Sequence, residues 1–465
     1  MTRVLYWNIK DFGLNKIDHQ EPAAFVHGHG GLNNQNASLQ RRQAILNLLQ
    51  QTNPDIFVLV EVCTGRALPG ALIAETTGAL GCRTLLRLMR TQHPDWRLVP
   101  PLILGHGGPK EGIAVFFRSP ANERYFSGPK VWLGAAAGDD VPAPGMFPGV
   151  VYPPFWSAAL SPPRPPPPAA PLPARGLVPP GSAHNPGRPE DMLAGRVLDL
   201  GFPPVVAAQW LNFRQPYLCT FWEPGAGAGG VGRNLSIFAV HAPPDRTAVN
   251  FLQYAAAAVN GLAAPLANET RVVLGDFNIN LLNPADGADA HAYAPFTALN
   301  YVPLVNPQPL PGGANLASYL GYATTHMKGA PVFLSTGALA QFYPGFGYSG
   351  SDIGNFFSID NILVQPRVAA RDYHTTVVNT VVGTPYLTLG GFVAGSVPNT
   401  TGGGNTPIAI PSYFGDPPAP FPWAVAGGNG QAPGADRGLE NRLTKWDNYG
   451  RIYDTSDHFA VFADV

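Results

Sequence analysis

Six short apolar stretches of this sequence end on, or open from, residues able to do acid–base or metal chemistry. Asn8 follows Leu5-Tyr6-Trp7, and Glu61 follows Ile56-Phe57-Val58-Leu59-Val60. His241 follows Phe238-Ala239-Val240, and Asp276 and Asn278 follow Val272-Val273-Leu274-Gly275. Asp360 and Asn361 sit within residues 357–364, and Asp457 and His458 precede the last apolar stretch. One carboxylate at such a place reads as a solvated or capping residue. Six such places supply the parts of one site: acidic oxygens for a hard cation, amides, and two imidazoles.

These residues need elements to carry them. The continuously apolar run at 56–60 is predicted to be a strand buried on both faces. Further strands are expected at 3–7, 112–117, 235–240, 271–275, 359–364 and 459–465. Apolar spacing predicts a helix over 38–51, and an Ala-rich segment predicts another over 248–266. Strands recurring along the chain, with helices between some of them, predict an α/β fold. It is a four-layer sandwich of two packed, mainly antiparallel sheets flanked by helices.

The rest of the composition narrows the classes. Charged residues are 13% of 465, and Lys+Arg 29 against Asp+Glu 30 leaves a net charge of -1. That excludes a basic nucleic-acid coat or an acidic tail protein, but not a nuclease with a local basic cleft. Glycine (53) and proline (51) concentrate in two regions. Residues 135–205 hold 19 Pro and 8 Gly, and residues 379–438 hold 13 Gly and 9 Pro. Both read as long insertions in a single domain spanning 1–465, with insertion boundaries near 119–207, 281–355 and 366–445. The Pro-rich part, 142–189, is expected to be a surface excursion, because proline cannot donate to a sheet ladder. Cys63, Cys82 and Cys219 match no zinc spacing and are expected to be reduced and non-catalytic. No apolar run approaches a membrane span, and no signal-peptide pattern opens the sequence. The expectation is a cytoplasmic protein, or one exported without, or after loss of, a leader.

Four motifs occur in order: Trp7-Asn8-Ile9, Val60-Glu61-Val62, Gly275-Asp276-Phe277-Asn278 and Ser456-Asp457-His458. This set resembles the signature of the endonuclease/exonuclease/phosphatase superfamily, and within it the deoxyribonuclease I-like branch. Asn8-Ile9-Lys10-Asp11-Phe12-Gly13, His241-Ala242-Pro243-Pro244, Lys110-Glu111 ahead of Phe117-Arg118, and Ile359-Asp360-Asn361-Ile362-Leu363-Val364 resemble further segments of that branch. The resemblance implies a metal set of Asn8, Glu61 and Asp457 for Mg²⁺ or Mn²⁺, with Ca²⁺ as an alternative. It implies that Asp276 positions or deprotonates the attacking water and that Asn278 hydrogen-bonds a phosphate oxygen. It places His241 and His458 on the phosphate, with Asp360 orienting His458. It also puts Glu111 beside His241 as a second histidine–carboxylate pair, where a carboxylate favours the protonated ring and fixes its orientation.

Two positions depart from the branch. Cys63 stands where an arginine reads the minor groove, and Pro109 stands where a tyrosine packs on the sugar. The leading reading is a divalent-metal-dependent phosphodiesterase, specifically a DNA endonuclease with nucleic acid as its partner. The alternatives are a phosphatase or phospholipase-like phosphoesterase on the same site, and a binding protein with a dead site. The sequence names no protein partner.

Overall fold

Every residue of the run at 56–60 is fully buried, and the layers on either side of it explain why. In the computed structural model two sheets stack face to face, with helices on their outer faces. The structure describes residues 2–19, 25–26, 32–33, 35–64, 77–104, 111–118, 125–126, 194–196, 203–223, 233–244, 247–261, 269–281, 293–305, 324–325, 357–365, 374–378, 396–398, 405–407, 456 and 458–465.

In chain order the elements begin with β1 (Arg3–Phe12), α1 (Leu14–Ile17), β2 (Phe25–Val26), β3 (Leu32–Asn33), α2 (Gln35–Thr52) and β4 (Ile56–Cys63). There follow α3 (Thr77–Gln92), β5 (Trp96–Leu104), β6 (Glu111–Arg118), β7 (Tyr125–Phe126), β8 (Ala194–Arg196), α4 (Pro204–Asn212) and β9 (Tyr217–Glu223). The remainder are β10 (Arg233–His241), α5 (Ala248–Gly261), β11 (Glu269–Asp276), α6 (Ala294–Thr297), β12 (Val302–Pro303), β13 (Asp360–Gln365), β14 (His374–Val378), β15 (Ser396–Pro398), β16 (Asn405–Pro407) and β17 (Ala460–Asp464).

The first sheet runs β14-β17-β1-β4-β6-β5. The second runs β12-β13-β11-β10-β9-β7, with β8 also on β9. Pairing is antiparallel except for β1 with β4 and β10 with β11, one parallel pair at the centre of each sheet. The predicted sandwich of two mainly antiparallel sheets is therefore the fold observed.

Alternation along the strands divides the core in two. Leu5, Trp7, Phe57, Leu59, Ala114 and Phe116 face outward and pack on Ile45, Leu48, Leu85, Leu86 and Met89 of α2 and α3. Their neighbours face the second sheet, where the rings of Phe117 and Phe221 meet at 5.1 Å. The outer face of the second sheet packs Phe238, Val240 and Val273 on Phe251, Leu252 and Ala255 of α5. Phe296 and Tyr301, inside the stretch expected as an insertion, belong to this second core. A ring the size of phenylalanine contributes roughly 1.5–3 kcal/mol when it leaves water, which holds residues 293–305 against the sheet. Likewise β7 and β8 extend the edge of the second sheet and β14 that of the first, all from stretches expected as insertions. Residues 142–189 lie outside the described residues.

The helix α3 was not among the sequence expectations. Gly78 in its first turn lowers its intrinsic propensity. The glycine is there for space: a Cβ at position 78 would lie 2.2 Å from the carbonyl oxygen of Cys63. The helix packs that closely on the end of β4.

Candidate active site

Strand register alone assembles most of the site. Parallel pairing of β1 with β4 sets Asn8 opposite Val60, one residue short of Glu61. Parallel pairing of β10 with β11 sets His241 opposite Asp276, and antiparallel pairing of β11 with β13 sets Asp276 opposite Asp360. Both parallel pairs present their C-terminal ends at the same end of the sandwich. Close approach of β10 and β11 requires Gly275: it has φ 152°, and a Cβ there would meet the Val240 carbonyl oxygen at 1.9 Å. Glu61 leaves the ladder at a bulge, where the β4–β6 register shifts between Leu59 and Val62. Glu61 (φ 59°), Asp11 (φ 51°) and Asn278 (φ 53°) are all left-handed. Such positions cost on the order of 1–3 kcal/mol each, and here they cluster around one cleft.

The first imidazole is that of His458. Its Nδ1 lies 2.8 Å from Asp360 Oδ2, and the other oxygen of that carboxylate accepts a 2.8 Å bond from the Tyr6 hydroxyl. Asp360 is fully buried. Thr324 Oγ1 accepts the backbone N–H of both Ile359 and Asp360, each at 3.0 Å. Backbone bonds fix the histidine itself: Ser456 Oγ accepts its N–H at 3.0 Å, and Trp7 Nε1 donates to its carbonyl at 2.8 Å.

The second imidazole is that of His241. Its Nδ1 lies 2.5 Å from Glu111 Oε2, and Arg214 Nη1 donates to Glu111 Oε1. Burial pushes the Glu111 carboxyl up, but His241 and then Arg214 outweigh it and leave it below the usual carboxylate range. Burial pulls His241 down, while Glu111 pulls it up and prevails. A carboxylate at Nδ1 fixes which ring nitrogen faces it, leaving Nε2 for the cleft.

Both Nε2 atoms lie near one carboxylate. Asp276 Oδ2 is 3.6 Å from that of His241 and 3.8 Å from that of His458. Burial, reinforced by Asp360, raises the Asp276 carboxyl to about 6, against the pull of His458 and His241. The backbone N–H of Asn278 donates to Asp276 Oδ1 at 2.9 Å and holds the carboxylate in this orientation.

Asn8 joins the two sheets. Its Nδ2 donates to Glu61 Oε1 at 2.9 Å and lies 3.4 Å from Asp276 Oδ2. Its Oδ1 is buried and, among the described residues, accepts no hydrogen bond. A buried amide oxygen left without a donor, beside a partly open carboxylate, fits a hard divalent cation, which takes oxygen ligands. A second group, Asp276, Asp360 and His458, offers ligand atoms all within 4.8 Å of one another. Within it, His458 Nδ1 and both Asp360 oxygens are already bonded, and Asp276 Oδ1 accepts from the Asn278 backbone.

Of the residues singled out from sequence, the structure brings together Asn8, Glu61, Glu111, His241, Asp276, Asn278, Asp360 and His458. Asp457 lies outside the described residues. Asn278 commits one amide hydrogen to the Ala242 carbonyl, at 2.9 Å. Asn361 is buried and bonds the backbone of Val305 in both directions, so it fastens a loop and does not face the cleft. Sequence reading missed Tyr6, Thr324 and Arg214. Tyr6 hides inside an apolar run, and Thr324 and Arg214 lie in stretches without periodicity.

The family model for the Endonuclease/Exonuclease/phosphatase family matches residues 5–458, from before Asn8 to His458. Among solved structures the chain is similar to SmcL, at 12% identity and TM-score 0.39 over 99% of this chain and 98% of that one. It is also similar to an endonuclease/exonuclease/phosphatase from Beutenbergia cavernae, at 13% identity and TM-score 0.37 over 99% of this chain and 70% of that one. A third is humanized D. rerio TDP2, at 9% identity and TM-score 0.35 over 99% and 97% of the two chains. Among curated proteins none matches this sequence. With the family model running from the first site strand to the last site histidine, the chain belongs to the endonuclease/exonuclease/phosphatase family.

Proposed function

We propose that the chain is a divalent-metal-dependent phosphodiesterase acting as a DNA endonuclease. The observation that carries this reading is the pair of imidazoles, each backed by a carboxylate and each turning Nε2 toward Asp276. A tetrahedral phosphorus with two non-bridging oxygens suits two such donors on either side of a general base. Asp276, raised to about 6, is matched to take a proton from water near neutral pH. His241, favoured in its cationic form by Glu111, donates to a non-bridging oxygen or protonates the leaving oxygen. His458, its Nδ1 held by Asp360, donates from the other side. Mg²⁺ or Mn²⁺, with Ca²⁺ as an alternative, would be held by Asn8 Oδ1 and Glu61, with Asp457 a third ligand. Such an ion offsets the charge developing on the phosphoryl oxygens.

One observation favours a second reading, a phosphatase or phospholipase-like phosphoesterase. Cys63 sits next to the cleft, opposite Glu111 in the ladder, where a groove-reading cation would stand. Burial and then Asp11 push its thiol up to about 11, so it is neutral and offers no charge to a duplex. Two assays run side by side separate the readings: nicking of a supercoiled plasmid with Mg²⁺, and phosphate release from small phosphomonoesters. Nicking that EDTA abolishes is the expected result. Phosphate release without nicking would move the assignment to the second reading, and full nicking in EDTA would remove the metal from both.

A further inference from the structure

Arg214 lies just before β9, and its guanidinium makes three bonds to protein acceptors around one histidine. Nη1 donates to Glu111 Oε1, the oxygen turned away from His241. Nε donates to the carbonyl of His241 at 3.1 Å, and Nη2 to the carbonyl of Ala242 at 2.8 Å. The same Ala242 carbonyl also accepts from Asn278. One side chain thus holds both ends of His241: its backbone directly, and its ring through Glu111. Acceptors on three sides of a planar fork fix its orientation more firmly than one ion pair would. The side chain is only 11% exposed, so its charge is directed at the protein.

The segment that carries Arg214 is itself anchored. Trp210 of α4 is buried and stacks on Phe251 of α5 with ring centroids 5.8 Å apart. Gln215 Nε2 donates to the Trp210 carbonyl at 2.6 Å, and the Phe213 N–H to the same carbonyl at 3.1 Å. The arginine therefore projects from a fixed turn.

We infer that Arg214 is a positioning residue for the phosphoesterase reaction, acting on His241 through Glu111 and not on the phosphate. This rests on the reading of His241 as a phosphate-facing acid. A carboxylate has two equivalent oxygens and rotates easily about its last bond. With Oε1 pinned by Arg214, Oε2 is presented to Nδ1. Without the arginine the carboxylate gains other orientations, and the imidazole loses its fixed tautomer.

The test uses the full chain with Mg²⁺ and bis(p-nitrophenyl) phosphate, comparing wild type, Arg214→Ala, Arg214→Lys, Glu111→Gln and the double variant Arg214→Ala/Glu111→Gln. Arg214→Ala is expected to lower kcat about 10–100-fold, the range for residues that orient a functional group. KM is expected to move less than about threefold, since uniform substrate binding is untouched. The double variant is expected to be no slower than the slower single one, because both remove one coupled unit. Arg214→Lys, which keeps the charge and stem, should recover part of the loss, and it serves in place of Arg214→Ala if that variant does not fold. The hydrogen-bonded Nδ1 proton of His241 should give a far-downfield NMR signal in the wild type that Arg214→Ala loses. A rise in KM with kcat intact would show Arg214 binding the phosphate directly and overturn the inference. Multiplicative effects in the double variant, or an unchanged Nδ1 signal, would overturn it too. A wild type inactive on every phosphoester would bring down the hydrolase reading alone, since the NMR signal still decides the positioning.

Discussion

The two histidine–carboxylate pairs face the same carboxylate but are supported in opposite ways. Behind Asp360 stands a neutral phenol, Tyr6, and among the described residues no Lys or Arg bonds to the carboxylate; both its oxygens are satisfied deep between the sheets. Behind Glu111 stands a guanidinium, and the carboxylate is about one-fifth exposed. A cation behind a carboxylate weakens its pull on the imidazole proton, whereas a phenol leaves most of that pull in place. Tyr6 is also well above the usual phenol range, from burial and then Asp360, so it stays a donor. The lesson is that one geometric motif can be backed by a neutral donor in one place and by a cation in another. On this basis the two imidazoles are expected to differ in how firmly each is held by its carboxylate.

Removing what the two pairs share should have the largest effect. Asp276→Asn is expected to abolish turnover and, in the metal-free protein, to raise thermal stability at pH 7. The sign follows from Asp276 titrating near 6 when folded, against the ordinary value near 3.9 when unfolded. The native state then binds more protons between about pH 4 and 6, so stability falls as pH rises through that window. Calorimetry in EDTA at pH 5 and 7 checks this. The wild type should lose stability from this group as pH rises, and the variant should lack that component.

Next come the imidazoles. His458→Ala and His241→Ala should each lower kcat by about 10²–10⁴-fold, the range for a positioned proton donor. Equal pH–rate profiles for the two variants would remove the asymmetry drawn above. The carboxylates should cost less. Asp360→Asn is expected to exceed Glu111→Gln in loss of kcat, because no second charge compensates behind Asp360. The reverse order would mean that Arg214 strengthens its pair. Smallest is Tyr6→Phe, which leaves one oxygen of a buried carboxylate without a donor. It should cost about 1–3 kcal/mol of stability, measured by denaturant unfolding, with a modest loss of activity.

Much of this site was legible in the sequence because strands with both faces buried leave an unbroken apolar signal. Runs such as 56–60 and 272–274 end abruptly on Glu61 and Asp276, and that abruptness marks the cleft. What stayed hidden has physical reasons. Gly78 disguises α3 because close packing on Cys63 needs a residue that helix propensity disfavours. Tyr6 counts as one more apolar residue until a partner sheet supplies Asp360. Arg214 gains meaning only from acceptors on two other stretches of chain, Glu111 and the adjoining carbonyls of His241 and Ala242. Residues 293–305 lie between long aperiodic stretches, and only tertiary contact reveals Phe296 as core.

The pairing of β1 with β17 has a consequence for biosynthesis. Arg3 pairs with Asp464, and Thr2 and Val465 exchange backbone hydrogen bonds, so β1 lies between a strand made soon after it and one made far later. Translation at about 5–20 residues per second leaves β1 waiting tens of seconds for that neighbour. During that time the middle of the first sheet has an open edge, and Asn8 has no His458 to face. Such distant pairing slows folding and exposes apolar edges to other nascent chains. A ribosome that stalls before residue 458 therefore leaves the earlier strands of the first sheet formed but the cleft without one of its two imidazoles, so assembly of the site waits on the most distant pairing in that sheet.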